Sequence, residues 1–459
     1  MLFRRRRLLP ASTAIRPGWA RSHLTPTTNG ISNTARPFQR VFHCTRSAAP
    51  ALLAVCLLSG ATPFMPASTA FAATVSSPMD IATADNTFGF RLLHAVQKTL
   101  PNGNVVLSPV SAALNLSMVL NGAEGQTKEE MLKALSLSGS EIDAINAANA
   151  QLIKGLGART NGVTLSVADS LWVDSRRAVL RPDYMKRVES SYAAEIEGLD
   201  FSSPNAPRQI NSWASKETQG KIPKVLDRID PAEVLLLLNA VYFKGQWTHK
   251  FDKAKTQPRD FTLANGTTKQ VPRMMQSGRF EYFEMPEMQA IRLPFGDGDL
   301  VMEVLLPAKA SNLEALEGQL TAEHWKEWRS RYSKREGTIE LPRFELASKY
   351  KLNGPLESLG MKRAFEANGA QLTGMLSPVS GRADLGRLSV SSVLQSTYWK
   401  VDEEGSEAAA VTSTQIRATA VQRAAEPFHM VVDRPFFCAI EDGRSGVLLF
   451  LGAIYEPGG

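Results

Sequence analysis

Catalytic or metal-binding chemistry would be expected first at the six histidines and three cysteines of this 459-residue chain. No histidine is spaced to form a metal-ligand pair, and the chain lacks His-Glu-x-x-His, Gly-x-Ser-x-Gly and glycine-rich phosphate-loop motifs. Because a hydrolytic or metal site needs such partners, we interpret each histidine as structural or solvated. Cys438, within the apolar run 435–440, is interpreted as a small buried hydrophobic residue. We therefore expect no enzyme, no cofactor and no metal.

One segment, residues 401–413, has a pattern unlike that of an ordinary loop. It has the sequence VDEEGSEAAAVTS, and about twenty residues without a strong structural signal follow it. An alanine run after a glycine is typical of a helix, because alanine has the highest helix propensity. Its small side chains also recur at every second position: Ser406, Ala408, Ala410 and Thr412. That period would bury them on one face of a strand, so a helix cap and an inserting strand both remain open.

Several further motifs follow one another along the chain. They are NVVLSPVS at 104–111, NGAEGQT at 121–127, LNAVYFKGQW at 238–247, LPRF at 341–344, DRPF at 433–436 and LFLG at 449–452. Together with the segment 401–413, they resemble the serpins, the serine protease inhibitors whose reactive loop inserts into a β-sheet. The resemblance extends from about residue 84 to Pro457.

The resemblance implies a single domain of the α+β class, with three β-sheets, about nine helices and an exposed reactive-centre loop at about residues 403–432. It implies a suicide-substrate inhibitor. A serine protease attacks the loop and forms an acyl-enzyme, the freed hinge enters the central sheet as a new strand, and the protease is trapped before deacylation.

The resemblance also assigns site residues. The hinge comprises Gly405, Ser406, Glu407, Ala408, Ala409 and Ala410. The polar cluster beneath the opening sheet comprises Ser108, Ser111 and Asn239. The point of loop entry comprises Trp247 and the ion pair of Arg343 with Glu403. The reactive bond is expected at Thr419–Ala420, with the adjacent bonds within 418–421 as alternatives. Two positions depart from the family pattern: Gln395, where many members have a histidine, and Gln371, where an aspartate is common.

The implied partner is a serine protease with a small-residue specificity pocket, elastase-like or subtilisin-like, because Thr419 and Ala420 carry small side chains. The alternative is a non-inhibitory serpin that acts as a carrier, chaperone or storage binding protein. Such members tend to carry bulky, charged or proline residues in the hinge, so the alanines at 408–410 favour inhibition. Regulation by a polyanion is disfavoured, since residues 139–160 offer only Lys154 and Arg159. We expect a monomer without a nucleic-acid partner.

Hydrophobic periodicity predicts the elements that must position these residues. Helices are predicted at 111–120 and, from a capping-box spacing, at 127–137, with a short helix near 352–359. Strands are predicted at 234–243, 300–306, 338–341 and 446–455, the first of them buried on both faces. Because helices come first and strands later, the pattern favours an α+β fold over a doubly wound sheet.

The net charge of +7 comes from the leader, residues 1–72, which holds nine arginines and no Lys, Asp or Glu. The remaining chain has 43 basic and 45 acidic residues, a net charge of −2. An apolar run at 48–60 and Ala70-Phe71-Ala72 complete the order of a signal peptide, and the run is too short to span a membrane. We expect a secreted protein, extracellular or periplasmic, with its mature domain at 73–459. The alternatives are an organellar transit peptide and a translation start that has been placed too far upstream.

Overall fold

The computed structural model describes residues 80–157, 162–379, 388–405 and 426–458. These residues form nine α-helices and sixteen β-strands. The helices are α1 (Ile81–Gln97), α2 (Pro109–Leu120), α3 (Gly125–Ala134), α4 (Ile142–Gly157), α5 (Pro182–Tyr192), α6 (Ala206–Glu217), α7 (Leu313–Glu317), α8 (Ala322–Arg331) and α9 (Asn353–Ser358).

The strands of the described residues form three sheets, so the predicted α+β fold with three sheets and about nine helices is confirmed. The first eight strands are β1 (Val105–Leu107), β2 (Val163–Asp174), β3 (Ala178–Leu180), β4 (Glu195–Leu199), β5 (Leu235–Gly245), β6 (Gln257–Thr262), β7 (Thr268–Met285) and β8 (Met288–Phe295). The remaining strands are β9 (Leu300–Pro307), β10 (Ser333–Pro342), β11 (Phe344–Lys351), β12 (Leu376–Pro378), β13 (Val390–Val401), β14 (Phe428–Val431), β15 (Phe436–Asp442) and β16 (Leu448–Ile454).

The largest sheet has nine strands in the order β1-β16-β15-β9-β8-β7-β10-β14, with β6 paired to β7. Its centre is apolar, and every residue of β9, β15 and β16 is buried. The strand β14 pairs in parallel with β10 at its edge. Residues 428–431 of the predicted loop 403–432 therefore form a strand of this sheet, because their backbones pair with β10. The smallest sheet pairs β12 with β3.

The five-stranded sheet, called the central sheet below, has the order β11-β13-β5-β2-β4 and carries the candidate site. Its central pair, β13 with β5, is parallel, from Val390 opposite Leu235 to Trp399 opposite Phe243. Both strands therefore end at the same edge, β13 at Val401 and β5 at Gly245. A chain that leaves β13 and turns back between the two strands would run antiparallel to both. One parallel ladder would then become two antiparallel ladders, which are slightly more stable per residue.

The central strand β5 is buried on both faces, as predicted from its apolar run, and only Lys244 is partly exposed. Leu236, Leu238 and Tyr242 pack in one cluster with Trp213 of α6. The alternate residues pack into the main core, which also contains the apolar residues of α2. Asn239 belongs to this second face and therefore lies beneath α2.

Most of the predicted elements are confirmed, with shifts at their ends. The helix predicted at 111–120 is α2, and the predicted strands correspond to β5, β9, β10 and β16. The capping-box prediction is wrong, because α3 begins two residues earlier, at Gly125. The Thr127 hydroxyl is not its cap, since it accepts a hydrogen bond from the distant Gln371 backbone N–H over 3.0 Å.

Candidate functional site at the opening edge of the central sheet

The hinge prediction extends across the boundary of the described residues. Gly405 is the last residue described before the segment 406–425. The other predicted loop residues lie outside the described residues: Ser406, Glu407, Ala408, Ala409, Ala410, Thr419 and Ala420. Their assignments stay predictions.

A tight turn over residues 402–405 ends β13. The Asp402 and Gly405 backbones exchange two hydrogen bonds, over 3.0 and 3.1 Å, and Asp402 Oδ1 accepts from the Glu404 N–H over 3.0 Å. Gly405 has φ +110°, and a Cβ atom there would overlap the carbonyl oxygen of Gly245. A glycine is therefore required here, both by its left-handed backbone and by this close approach.

Trp247 and Phe251 hold this turn against the end of β5. The Trp247 backbone N–H donates to Glu404 O over 3.0 Å, and its indole Nε1 donates to Asp402 O over 2.8 Å. The Phe251 N–H donates to Glu403 O over 2.9 Å. The Trp247 indole is buried and stacks on Phe295, with 4.2 Å between ring centroids. The predicted entry residue is therefore bonded directly to the turn.

The predicted pair of Arg343 and Glu403 is present but long, with 3.6 Å between Nε and Oε2. Glu403 is buried, and its Oε1 accepts a hydrogen bond from Thr256 Oγ1 over 2.7 Å. Because the Arg343 side chain is 44% exposed, the ion pair contributes at most about 1 kcal/mol. The hydroxyl of Thr256 provides the shorter of the two contacts.

The neighbouring Glu404 forms a tighter pair that the sequence did not indicate. Its carboxylate lies 2.6 Å from Lys250 Nζ and 2.9 Å from Lys253 Nζ. The hydrogen bond from Lys250, followed by that from Lys253, lowers the pKa of Glu404. Two cations therefore anchor the turn that follows β13 beside the end of β5. No local pattern predicts this contact, because the two lysines lie about 150 residues earlier in the chain.

Beneath the sheet, the predicted polar residues Ser111 and Asn239 meet at a third residue, Asp169 of β2. Asp169 Oδ1 accepts from Ser111 Oγ over 2.8 Å and from Asn239 Nδ2 over 2.5 Å. Asn239 Nδ2 also donates to Ser111 O over 3.3 Å. Burial raises the pKa of Asp169 to about 7. The sequence analysis missed Asp169, although an acid that follows the apolar residues Val167 and Ala168 is itself a signal.

Ser108, the third predicted residue of this cluster, bonds to β13 instead. The Gln395 side chain accepts from the Ser108 N–H over 3.0 Å and donates to Ser108 O over 2.9 Å. Gln395 is opposite Asn239 in the parallel ladder, yet the two side chains bond to different ends of the first turn of α2. The two strands are thus fastened to different residues at the start of α2.

The second departure, Gln371, lies far from the hinge. Its Oε1 atom accepts from the Gln126 N–H over 3.0 Å, at the start of α3.

Within the described residues, no cluster of three His, Cys, Asp or Glu side chains could hold a metal ion. Cys438 is fully buried, and burial raises the pKa of its thiol.

Comparison with known proteins decides the family. The model of the family Serpin, serine protease inhibitor, matches residues 83–457. The chain belongs to the serpin family. The family is that of the serine protease inhibitors.

Similar proteins cover almost the whole length of this serpin after residues 1–72. Iripin-2 of Ixodes ricinus is 33% identical over 381 residues, which are 82% of this chain and 93% of that protein. The leukocyte elastase inhibitor of Bos taurus is 35% identical over 390 residues, 82% of this chain and 99% of its own. The solved structure of tengpin, a thermophilic serpin in the native state, aligns with a TM-score of 0.74 at 27% identity, covering 83% of this chain and 95% of its own.

Proposed function

We propose that this serpin inhibits serine proteases as a suicide substrate. The protease serine attacks the carbonyl carbon of the reactive bond, the peptide C–N bond breaks, and an ester joins inhibitor and protease. The hinge, released by cleavage, then enters the central sheet between β13 and β5. The protease is carried away from its attack position before water can hydrolyse the ester.

One observation carries this proposal: the parallel pair of β13 and β5, with a glycine turn that directs the chain back at their common edge. This pair offers an inserted strand two antiparallel ladders. If about a dozen residues gain hydrogen bonds worth roughly 1 kcal/mol each, insertion releases on the order of 10 kcal/mol. That equals the stability of a whole domain, which suffices to distort a protease active site.

The proposed target is an elastase-like or subtilisin-like protease. The small residues at the expected reactive bond, Thr419 and Ala420, support this choice because a shallow pocket accepts them. Leukocyte elastase inhibitors of several mammals are among the similar proteins, which points in the same direction.

The test mixes the purified protein with elastase, subtilisin and trypsin and follows the products by denaturing electrophoresis. We expect a detergent-stable covalent complex with elastase or subtilisin. Cleavage of the loop by every protease without any complex would support the alternative, a non-inhibitory serpin used as a carrier, chaperone or storage binding protein.

We further propose that the protein is exported, since the leader has the order of a signal peptide. The leader lies outside the described residues. Within the described residues, none of the helices has the length and apolar character of a membrane span. N-terminal sequencing of the exported protein should find a start near Ala73, and a product that retains residues before 48 would contradict export by this signal.

A further inference from the structure

A cavity of about 270 Å³ lies beside the turn that leads into the hinge. Aromatic and apolar side chains form much of its wall: Trp247, Phe251, Phe280, Leu293, Pro294 and Val301. All of these except Pro294 are at most 7% exposed, so they present fixed surfaces rather than mobile ones. A cavity of this size and lining suits one planar ring system.

The rim of the cavity carries an excess of positive charge. Arg279 of β7 and Lys334 of β10 line it, and both are exposed. Glu336 lies opposite Arg279 and Glu281 opposite Lys334 in the ladder of β7 with β10, but among the described residues no carboxylate forms an ion pair with either cation. The acidic lining residue, Glu281, is bonded to Arg292 over 3.2 Å. Arg279 and Lys334 therefore remain available to an anionic group at the mouth of the cavity.

We propose that this cavity is a binding site for a small aromatic anion, with its ring against Trp247 and Phe251 and its carboxylate between Arg279 and Lys334. The ring would replace water along the apolar wall, and the two cations would fix its orientation. Guanidinium and ammonium groups both bind carboxylates through charge-assisted hydrogen bonds.

The site is coupled to the hinge through its own wall. The backbone N–H groups of Trp247 and Phe251 bind the carbonyls of Glu404 and Glu403, and the Trp247 indole binds that of Asp402. A ligand that packs against these rings stabilises the arrangement in which the turn is held outside the sheet. Because a ligand favours the state that it binds, it should slow loop insertion. This coupling rests on the proposed inhibitory function, whereas binding itself does not.

Isothermal titration of the full chain with indole-3-acetate tests the binding, and the neutral isostere indole-3-acetamide is the control ligand. We expect the acetamide to bind at least about tenfold more weakly. The double variant R279Q/K334Q should weaken acetate binding to the level of the acetamide. Arg279→Lys, which keeps the charge, should retain most of the affinity. The control variant is Lys269→Gln, on β7 outside the cavity, whose ammonium pairs with Glu456, and it should leave the affinity unchanged.

No binding of indole-3-acetate at millimolar concentration, equal affinity for the two ligands, or an unchanged affinity in R279Q/K334Q would each overturn the proposed site. Coupling is measured as the second-order rate of covalent complex formation with elastase or subtilisin, with and without saturating indole-3-acetate. We expect a rate reduced several-fold, and an unchanged rate despite saturation would overturn the coupling. A protein that binds the ligand but never forms a complex would contradict the inhibitory function and leave the site supported.

Discussion

Asp169 on β2 lies opposite Asn239 on β5 in the antiparallel ladder, and its Oδ1 atom accepts a hydrogen bond from Asn239 Nδ2 over 2.5 Å. This contact ties β5 to β2 on the side of β5 away from β13. Ser111 Oγ donates to the same Oδ1 atom and ties both strands to α2. The pair of β5 and β2 is therefore held as one unit while β13 is bound separately to Ser108.

We expect Asp169→Asn to make the stability of the protein less sensitive to pH. Burial raises the pKa of Asp169 to about 7 from an ordinary 3.8, so the folded state holds a proton that the unfolded chain releases at lower pH. The free energy of unfolding therefore falls as pH rises between about 4 and 7. For this group the fall is on the order of a few kcal/mol, and asparagine removes it while keeping the Oδ1 acceptor.

Melting temperatures at pH 5 and pH 8 check this expectation. The gain of the Asn variant over the unaltered protein should be larger at pH 8 than at pH 5. Burial also raises the pKa of Glu303 to about 8, so only the difference between the two proteins reports on Asp169. The exposed Asp183→Asn serves as control, and its melting-temperature difference from the unaltered protein should be the same at both pH values. If the difference for Asp169→Asn is also the same at pH 5 and pH 8, Asp169 is not protonated in the folded state near neutrality.

Replacing Ala410 with Arg should convert the inhibitor into a substrate. At period two, Ala410 would face inward in the inserted strand, where an unpaired charge opposes burial, while the loop can still be cut. Ala409→Arg is the matched control, since its side chain would face the opposite side. Quantitative electrophoresis should show cleavage without complex for Ala410→Arg and complex largely retained for Ala409→Arg. If both variants form complex equally well, strand insertion at this register is wrong.

Cleavage within the loop should raise the melting temperature sharply, because the inserted strand adds two antiparallel ladders to the central sheet. Differential scanning fluorimetry of intact and cleaved protein at one pH measures the shift. The Ala410→Arg variant provides the comparison, since its cleaved form should gain less. A cleaved protein that melts no higher than the intact one would favour the non-inhibitory alternative.

Gly405→Ala should destabilise the protein more than a glycine replacement elsewhere. The variant combines a strained φ of +110° with overlap against Gly245 O, and we expect a loss of about 1–3 kcal/mol. Gly266 has φ +81°, but a Cβ atom added there would meet no other atom within 4 Å, so Gly266→Ala isolates the backbone cost. Urea unfolding of both variants gives the comparison. Equal losses would show that the approach to Gly245 imposes no constraint of its own.

The sequence predicted those parts of the fold whose burial is continuous along the chain. The strand β5 was predicted because its sequence is an almost continuous apolar run, and the structure buries both of its faces. The helix α2 was predicted from the run 111–120, and the structure buries all of its residues. The 18-residue β7 was missed, since exposed and buried residues follow no single period along it. Its register is set by its pairing with the three strands β6, β8 and β10, and a local sequence pattern holds no information about such pairing.

The candidate site was predictable only where family motifs mark it. Ser111, Asn239 and Trp247 stand in such motifs, and the structure places them at the central sheet. Asp169 and the lysine pair around Glu404 were missed, because their partners are 58 to 154 residues away in sequence. Long-range polar contacts depend on the completed fold, so the spacing of residues along one chain cannot reveal them.

The last prediction concerns the reactive bond, which lies outside the described residues. Family spacing from Ser406 places it at Thr419–Ala420, and a slip of one residue allows Ala418–Thr419 or Ala420–Val421. Each offers a small residue to the protease, whereas a trypsin-like pocket would leave its buried acid unpaired, a cost of several kcal/mol. Arg417 lies two residues early for that spacing, and Arg423 lies four residues late.

Mass spectrometry of the C-terminal fragment released on reaction with elastase or subtilisin identifies the bond. We expect a fragment that begins at Ala420, or one residue to either side. Thr419→Arg is the companion variant, because it should transfer inhibition to trypsin while keeping the loop length and the hinge unchanged. A fragment of the unaltered protein that begins at residue 418 or 424, together with trypsin as the preferred target, would instead place the reactive bond after Arg417 or Arg423.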